Sequence, residues 1–324
     1  MFLDTNVMDA LHPGDVSVRD IWILMDIAPV RLSKSPPRVN ENIRYAVKDG
    51  HVEVRSGSFG MATIWDYDIV IMAVSHLTHR MNLFNSGKAA FPNRIFRPSV
   101  AQINKFCGRT KGGSQTERLE EALDRLHTTT IKVVRNRMDQ PGIPIRQAQH
   151  ESLISSYRTT SHPGSGKLIA AEIEIPRWLY EQVTRQDNAG VLQLQKEYFQ
   201  IKSGIGRFLY RLARRAAGND HAAWSFKLLH ERSGSPSSLK KFSQNLRKAI
   251  LANNLPEYDL QIIDGKDGEI LAMQHRSWRA SQEGTPPLEL CKQLIDRGFS
   301  EQQAINEARR YAKKRPKLLT FHSS

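Results

Sequence analysis

Apolar positions along this chain follow two periods, and the order in which those periods succeed one another occurs twice. After a polar, turn-rich opening broken by Ser35-Pro36-Pro37, the runs Arg44 to Val47 and His51 to Val54 read as strands about the turn residues Asp49-Gly50. The period then lengthens. From Tyr67 to about Phe84, Ile69, Met72, Ala73 and Leu77 recur at helical spacing, and Asp66 is placed as an N-cap carboxylate. Ser99 caps a short second helix, Val100 to Cys107, which stops at Gly108. Beyond the link Arg109-Thr110-Lys111-Gly112-Gly113, a third helix runs from Ser114 to His127 with Leu119, Ala122, Leu123 and Leu126 on one stripe. A β-rich stretch follows: β-branched Thr129 to Val134, the turn Asp139-Gln140-Pro141-Gly142, then the runs Gln147 to Tyr157 and Leu168 to Ile175.

The second half repeats this succession. Helices are predicted over Ile205 to Ala217, ending at Gly218, and over Ser225 to Arg232, ending at Ser233-Gly234. Ser237 or Ser238 caps a third helix reaching about Leu251, with Leu239, Phe242, Leu246 and Ile250 inward. Tyr258 to Ile263 and Glu269 to Gln274 then flank the turn Asp264 to Gly268 as a hairpin of wing type. Helices closed by a glycine-containing turn and followed by a hairpin predict an α+β fold: two tandem winged-helix domains, each a helix-turn-helix with a β-wing, and a short helical C-terminal tail. The boundaries read as an N-terminal extension over 1–60, domains over 61–185 and 186–284, and a basic tail over 285–324. Trp178-Leu179-Tyr180 falls on a short helix in the connecting segment, which is expected to pack the domains together. In the tail, helices are expected over Leu288 to Arg297 and, capped by Ser300, over Glu301 to Lys314.

Charge sharpens the picture. Lys and Arg number 47 against 33 Asp and Glu, for a net charge of +14, which favours polyanionic partners. Between 201 and 251 stand eleven Lys and Arg against only Asp220 and Glu231, so the excess is concentrated in the second domain. No apolar run approaches the roughly 20 residues that span a bilayer, and neither a membrane partner nor an export signal is expected. Cys107 and Cys291 match no metal spacing, and two isolated thiols suit the cytoplasm.

The helix from Ser237 to Leu251 carries the strongest chemical signal. Opposite its apolar stripe it shows Lys240, Lys241, Gln244, Arg247 and Lys248, side chains that combine phosphate contact with amide and guanidinium groups able to read base edges. Arg207, Arg211, Arg214 and Arg215 form one stripe of the helix before it, assigned to DNA-backbone contacts with plain solvent exposure as the rival. In the first domain, Glu117, Glu120, Glu121 and Asp124 weaken the corresponding helix, so contacts are expected from its start: Lys111, Gly112, Gly113, Ser114 and Gln115, with Arg118 and Glu121 in reach of bases. Arg135, Arg137 and Arg146 on the first wing are candidates that ordinary surface explains as well. The tail cluster Arg309, Arg310, Lys313, Lys314, Arg315 and Lys317 suits either phosphates or a solvated helix face.

Enzyme motifs are missing. Gly164-Ser165-Gly166-Lys167 lacks the upstream glycine of a phosphate-binding loop, and neither H-E-x-x-H nor paired C-x-x-C occurs. His76 and His79 read as core-flanking, and Asp66-Tyr67-Asp68 reads as a helix start rather than a divalent-ion site. No cofactor, metal or catalytic residue is expected, and the chain is not read as an enzyme. A nickase or primase remains a distant alternative, and a transcriptional regulator without a replication role is the nearer one.

The run Gly60-Met61-Ala62-Thr63-Ile64-Trp65-Asp66-Tyr67-Asp68-Ile69 closely resembles the replication initiator protein A family of broad-host-range bacterial plasmids. Gly112-Gly113, Glu117-Arg118-Leu119, Ala122-Leu123-Asp124-Arg125-Leu126 and Thr129-Thr130-Ile131 are similar to its first helix-turn-helix and strand. Tyr198-Phe199, Leu209-Tyr210, Ala213-Arg214, Leu228-Leu229-His230, Ser233-Gly234-Ser235 and Leu255-Pro256 with Tyr258 are similar to its second half. The resemblance covers about residues 22 to 275. It implies a tandem winged-helix initiator that binds repeated duplex DNA sites at a plasmid origin, helps melt an adjacent segment and recruits the host helicase or initiator. It also implies binding of repeats as monomers and repression of its own promoter as a homodimer.

Overall fold

The computed structural model describes residues 16–21, 24–47, 50–109, 115–139, 143–185, 190–265 and 268–277, with single positions 292, 295, 300, 303 and 304. The chain divides into two compact units, one of residues 1–24 and 29–200, the other of residues 25–28 and 201–324. Residues 186–200 therefore belong with the first unit, not the second.

In the first unit, β1 (Arg19–Ile21) pairs with β9 (Val191–Gln193). The hairpin β2 (Asn42–Val47) and β3 (Gly50–Arg55) forms as its alternation predicts. It is not a separate extension, because β3 also pairs with β5 (Thr130–Asp139), which pairs in turn with β6 (Ile143–Ser152). Gly50 makes this join possible: at φ +152° its α-carbon lies so close to β5 that a Cβ would meet the Val134 carbonyl oxygen at 1.9 Å.

Helix α1 (Tyr67–Asn85) is buried on nearly every side over its first three turns, as an all-round apolar helix must be. α2 (Val100–Phe106) begins at Ser99, whose hydroxyl accepts from Gln102 N while Gln102 Oε1 accepts from Ser99 N, a reciprocal cap. α3 (Gln115–Thr128) buries Leu119, Ala122, Leu123 and Leu126 as its spacing predicts. The strand expected from Gln147 to Tyr157 is instead two strands in different sheets. Leu153 and Ile154 plunge into the core, the chain turns there, and β7 (Ser156–Ser161) pairs with β8 (Leu168–Glu174) beside β4 (Ile95–Phe96). α4 (Arg177–Thr184) packs on α1.

Asp66 does not cap α1. It is itself in helical conformation, and its carboxylate accepts from Thr63 N at 2.8 Å and from Arg125 Nε and Nη2 at 2.8 and 3.1 Å. Thr129 Oγ1 accepts from Ala62 N at 2.8 Å, and the Tyr67 hydroxyl donates to Asp20 at 2.9 Å. The stretch before α1 is thus stitched to the C-terminal end of α3.

The second unit runs α5 (Gly204–Ala216), β10 (His221–Ser225), α6 (Phe226–Ser233), α7 (Leu239–Ala252), β11 (Tyr258–Gly265) and β12 (Gly268–His275). β12 lies between β10 and β11 in an antiparallel sheet. Ser225 caps α6, which ends on Gly234 in the left-handed region, and Ser238 rather than Ser237 caps α7. Phe242, Leu246 and Ile250 face inward beside Phe208, Leu209, Leu212 and Leu229. Leu239, expected inward, is 41% exposed because it occupies the first position of α7, ahead of the packed turn.

The tail contributes to this unit. Ile295 and Ala304 bury against Ala223, Ile270 and Ala272 on the sheet, and Ser300 forms the expected cap, accepting from Gln303 N at 3.3 Å. The rest of the predicted tail helices, with the Arg309 to Lys317 cluster, lies outside the described residues. Among those, the protein is a mixed α/β fold with seven α-helices and several antiparallel sheets. The two units share an order of elements but differ in pairing: β10 joins β12, whereas β4 joins β8 and β5 joins β3.

Two outcomes follow from the first unit. Asp66→Ala leaves the Arg125 guanidinium without its bidentate acceptor and should cost about 3 kcal/mol in urea denaturation, more than the Asp66→Leu/Arg125→Met pair, which removes both charges. His76 packs against the Phe96 ring at 4.9 Å, and burial, with Arg80 and His79 nearby, pushes its imidazole down from 6.5 to about 4. The folded unit keeps His76 neutral in that window while the unfolded chain takes up the proton, so stability should fall as pH falls from about 6.5 to 4. The loss is at most about 3 kcal/mol, and His76→Phe should flatten it in denaturation series across pH.

Candidate nucleic-acid interface

α7 is built to hold one face in and one face out. Its start is fixed by Ser238 Oγ, which accepts from Lys241 N at 3.4 Å, and by the preceding turn, where Ser235 Oγ and Ser237 Oγ lie 2.9 Å apart. His230 Nε2 lies 2.7 Å from the Ser237 carbonyl oxygen, and the His230 ring packs on Phe242 at 5.2 Å, tying the turn to the helix it introduces. Phe242, Ser243, Leu246 and Ile250 are buried, while Lys240, Lys241, Gln244 and Lys248 are exposed. α7 contains no Asp or Glu, so these lysines meet no acid along their own helix. Ser237 is half-buried.

Arg247 shares the outer face but not the freedom of the lysines. Its Nε donates to Glu269 Oε1 at 2.9 Å and its Nη2 to Glu269 Oε2, which joins α7 to the turn end of β12 and raises the guanidinium pKa further. The same guanidinium lies 5.7 Å from the Phe226 ring centroid. Glu269 was not singled out in the sequence, where an isolated acid at a hairpin carries no signal of its partner.

The arginine stripe of α5 is a correction. Arg207 is 3% exposed, with Nε donating to the Ile201 carbonyl at 2.8 Å, and Arg211 is fully buried. Arg214 lies 3.6 Å from Glu257 and its Nη1 donates to the Tyr258 hydroxyl at 3.5 Å; Arg215 lies 3.8 Å from Asp26. α5 is wrapped by its neighbours on more sides than an amphipathic surface helix. Its spacing therefore does not mark a solvent face, and Arg207 and Arg211 cannot reach a phosphate from these positions.

In the first unit, Arg118 and Glu121 are exposed on α3. The acids that weakened this helix are partly accounted for: Asp124 accepts from the Tyr157 hydroxyl at 2.5 Å, Glu120 from Thr159 Oγ1 at 3.1 Å, and Glu121 lies 3.6 Å from Arg125. One carboxylate oxygen of each of Asp124 and Glu120 is thus taken up by β7. Arg146 is exposed on β6. Arg135 is half-buried and lines a cavity of about 550 Å³ with Ile131, Val133, Trp178 and Gln182. Lys111, Gly112, Gly113 and Ser114 lie outside the described residues, as do the side chains of Gln115 and Arg137.

Comparison with known proteins places this arrangement. The chain is 32% identical over 217 residues, 65% of its length and 73% of the other's, to a protein of Wigglesworthia glossinidia brevipalpis named as a replication protein. Two crystal structures of domains 2 and 3 of RctB share the fold at 12% identity. One, a selenomethionine derivative, has a TM-score of 0.56 over 78% of this chain and 98% of that one; the other has 0.51 over 77% and 95%. The family profile of replication initiator protein A matches residues 19–260. With that match spanning most of its length, the chain belongs to the replication initiator protein A family.

Proposed function

We propose that this chain initiates plasmid replication by binding repeated duplex DNA sites at the origin, through two units that each act as a winged helix. Origin opening and recruitment of the host helicase or initiator would follow binding, and repression of its own promoter would use a homodimer. The activity proposed is binding in the cytoplasm, not catalysis.

One observation carries the reading: Lys240, Lys241, Gln244 and Lys248 stand exposed on a capped, acid-free helix that is preceded by α6 and a tight turn and followed by the β11–β12 hairpin. A helix of this kind enters the major groove with its apolar side held by the other helices, while lysines contact phosphates and an amide reads base edges. Each phosphate neutralised releases counterions, which makes affinity steeply salt-dependent. Arg118 at the outer face of α3 and Arg146 on β6 are the described positions through which the first unit would add contacts.

Binding to the protein's own origin fragment, compared with a scrambled fragment of equal length across a salt series, tests the proposal. Specific binding should survive competitor DNA. Lys240→Ala with Lys241→Ala should reduce the slope of log affinity against log salt by about two and abolish plasmid maintenance. Equal affinity for both fragments would reduce the chain to a general DNA binder. Loss of origin binding with intact plasmid maintenance would leave a transcriptional regulator.

A further inference from the structure

Arg247 and Glu269 form an arrangement whose chemistry differs from that of the lysines beside them. A guanidinium carries five N–H donors in a planar fork. Here Nε and one Nη2 hydrogen face the Glu269 carboxylate, leaving Nη1 and the outer Nη2 hydrogen. Nη1 has no partner among the described residues, and the side chain is 42% exposed. Two contacts hold the guanidinium: the bidentate carboxylate and the Phe226 ring, whose centroid lies 5.7 Å away. Arg247 shares a face of α7 with Lys240, Gln244 and Lys248, which are seven and three residues before it and one after it.

Charge decides what the fork's remaining donors suit. The Arg247–Glu269 pair is neutral as a unit, and Asp264, exposed directly across the hairpin from Glu269, adds another acid. A phosphate approaching here gains little from the guanidinium and is repelled by the carboxylates. A neutral acceptor pair suffers no such repulsion and benefits from two aimed donors. Guanine presents that pair, O6 and N7, on the major-groove edge. Building on the duplex-binding reading above, we infer that Arg247 reads a guanine and that Glu269 is the positioning residue that aims it, making the pair a base-specificity determinant distinct from the phosphate-contacting lysines.

The full-length chain, incubated with a randomised duplex library and sequenced after selection, gives the base preference at each position. Wild type should enrich one position for guanine. Arg247→Lys keeps the charge but loses the fork, and Glu269→Gln keeps Arg247 but loosens its aim. Both should lower discrimination at that one position by roughly tenfold or more, leaving other positions within about twofold. Lys248→Ala should instead weaken binding evenly across sequences and flatten the salt dependence. Thermal melts confirm that each variant is folded; should Glu269→Gln fail to fold, Arg247→Lys decides alone. Base profiles of the folded variants indistinguishable from wild type would overturn this inference and leave duplex binding standing. A wild-type library with no enriched sequence would overturn sequence-specific reading itself, and this inference with it.

Discussion

The Asp66 carboxylate is 8% exposed, and a charge so placed costs several kcal/mol unless something neutralises it on the spot. The neutralising group arrives from fifty-nine residues further on, in the last turn of α3. Arg125 meets both carboxylate oxygens, Thr63 N donates to one of them, and Thr129 just beyond α3 accepts from Ala62 N. These bonds fix where α3 lies against α1. They also fix the start of β5, one residue past Thr129, and through its pairing with β3 and β6 the four-stranded sheet. The run Gly60 to Ile69 and the run Ala122 to Leu126, which carry much of the family resemblance, meet at this pair. Their residues serve the architecture that presents α3, and the surface of α3 is left to other positions.

The second unit meets the same electrostatic demand in a different way. It holds most of the chain's excess of cations, yet burial divides them into two populations. Arg207 and Arg211 lie inside, Arg214 and Arg215 are paired with Glu257, Tyr258 and Asp26, and Arg247 is paired with Glu269. Guanidinium groups suit such positions because their planar, delocalised charge is weakly hydrated and hydrogen-bonds at several points. The compact ammonium groups of Lys240, Lys241 and Lys248 stay in solvent, where strongly hydrated charges belong and where a polyanion can reach them. Net charge alone, which counted all of these alike, overstated the cationic surface that stands in solvent.

What could be read in the sequence follows how local each determinant is. Ser99 with Gln102, Ser225, Ser238 and Ser300 mark helix starts through bonds spanning three residues, and Gly234 ends α6 by its own backbone conformation. Those features, the hairpins and the buried stripe of α3 were legible. The role of Asp66 was not, since an acid just before a helix looks the same whether it binds the helix or an arginine in a distant element. The α5 stripe misled because periodicity reports only which residues share a face, and α5 is covered on both. The break at Leu153-Ile154 was invisible because two adjacent apolar residues inside a mostly polar stretch look the same in one strand as at a change of sheet. β10 was missed because His221-Ala222-Ala223 lacks β-branched residues and runs straight into the cap of α6.

The difference in pairing between the units bears on how rigidly each presents its outer helix. In the second unit β12 is the centre of the sheet: β10, which leads into α6, lies on one side and β11 on the other. Glu269 at the turn end of β12 grips Arg247 in the middle of α7. The helix α7, the β11–β12 hairpin and the strand between α5 and α6 are thereby coupled through one small sheet, and Ile295 and Ala304 from the tail cover part of it. In the first unit the corresponding strand, β4, is only two residues long and joins β8, while β5 and β6 are anchored to β3. There α3 is held through Arg125 at one end and, along its side, by Asp124 and Glu120, which accept from Tyr157 and Thr159 of β7. A helix held by the hairpin that follows it keeps a side chain such as Arg247 in register with that hairpin. α3, by contrast, takes its described restraints from Asp66 and from Tyr157 and Thr159 of β7, so its place depends on elements that lie outside the β5–β6 pair that follows it.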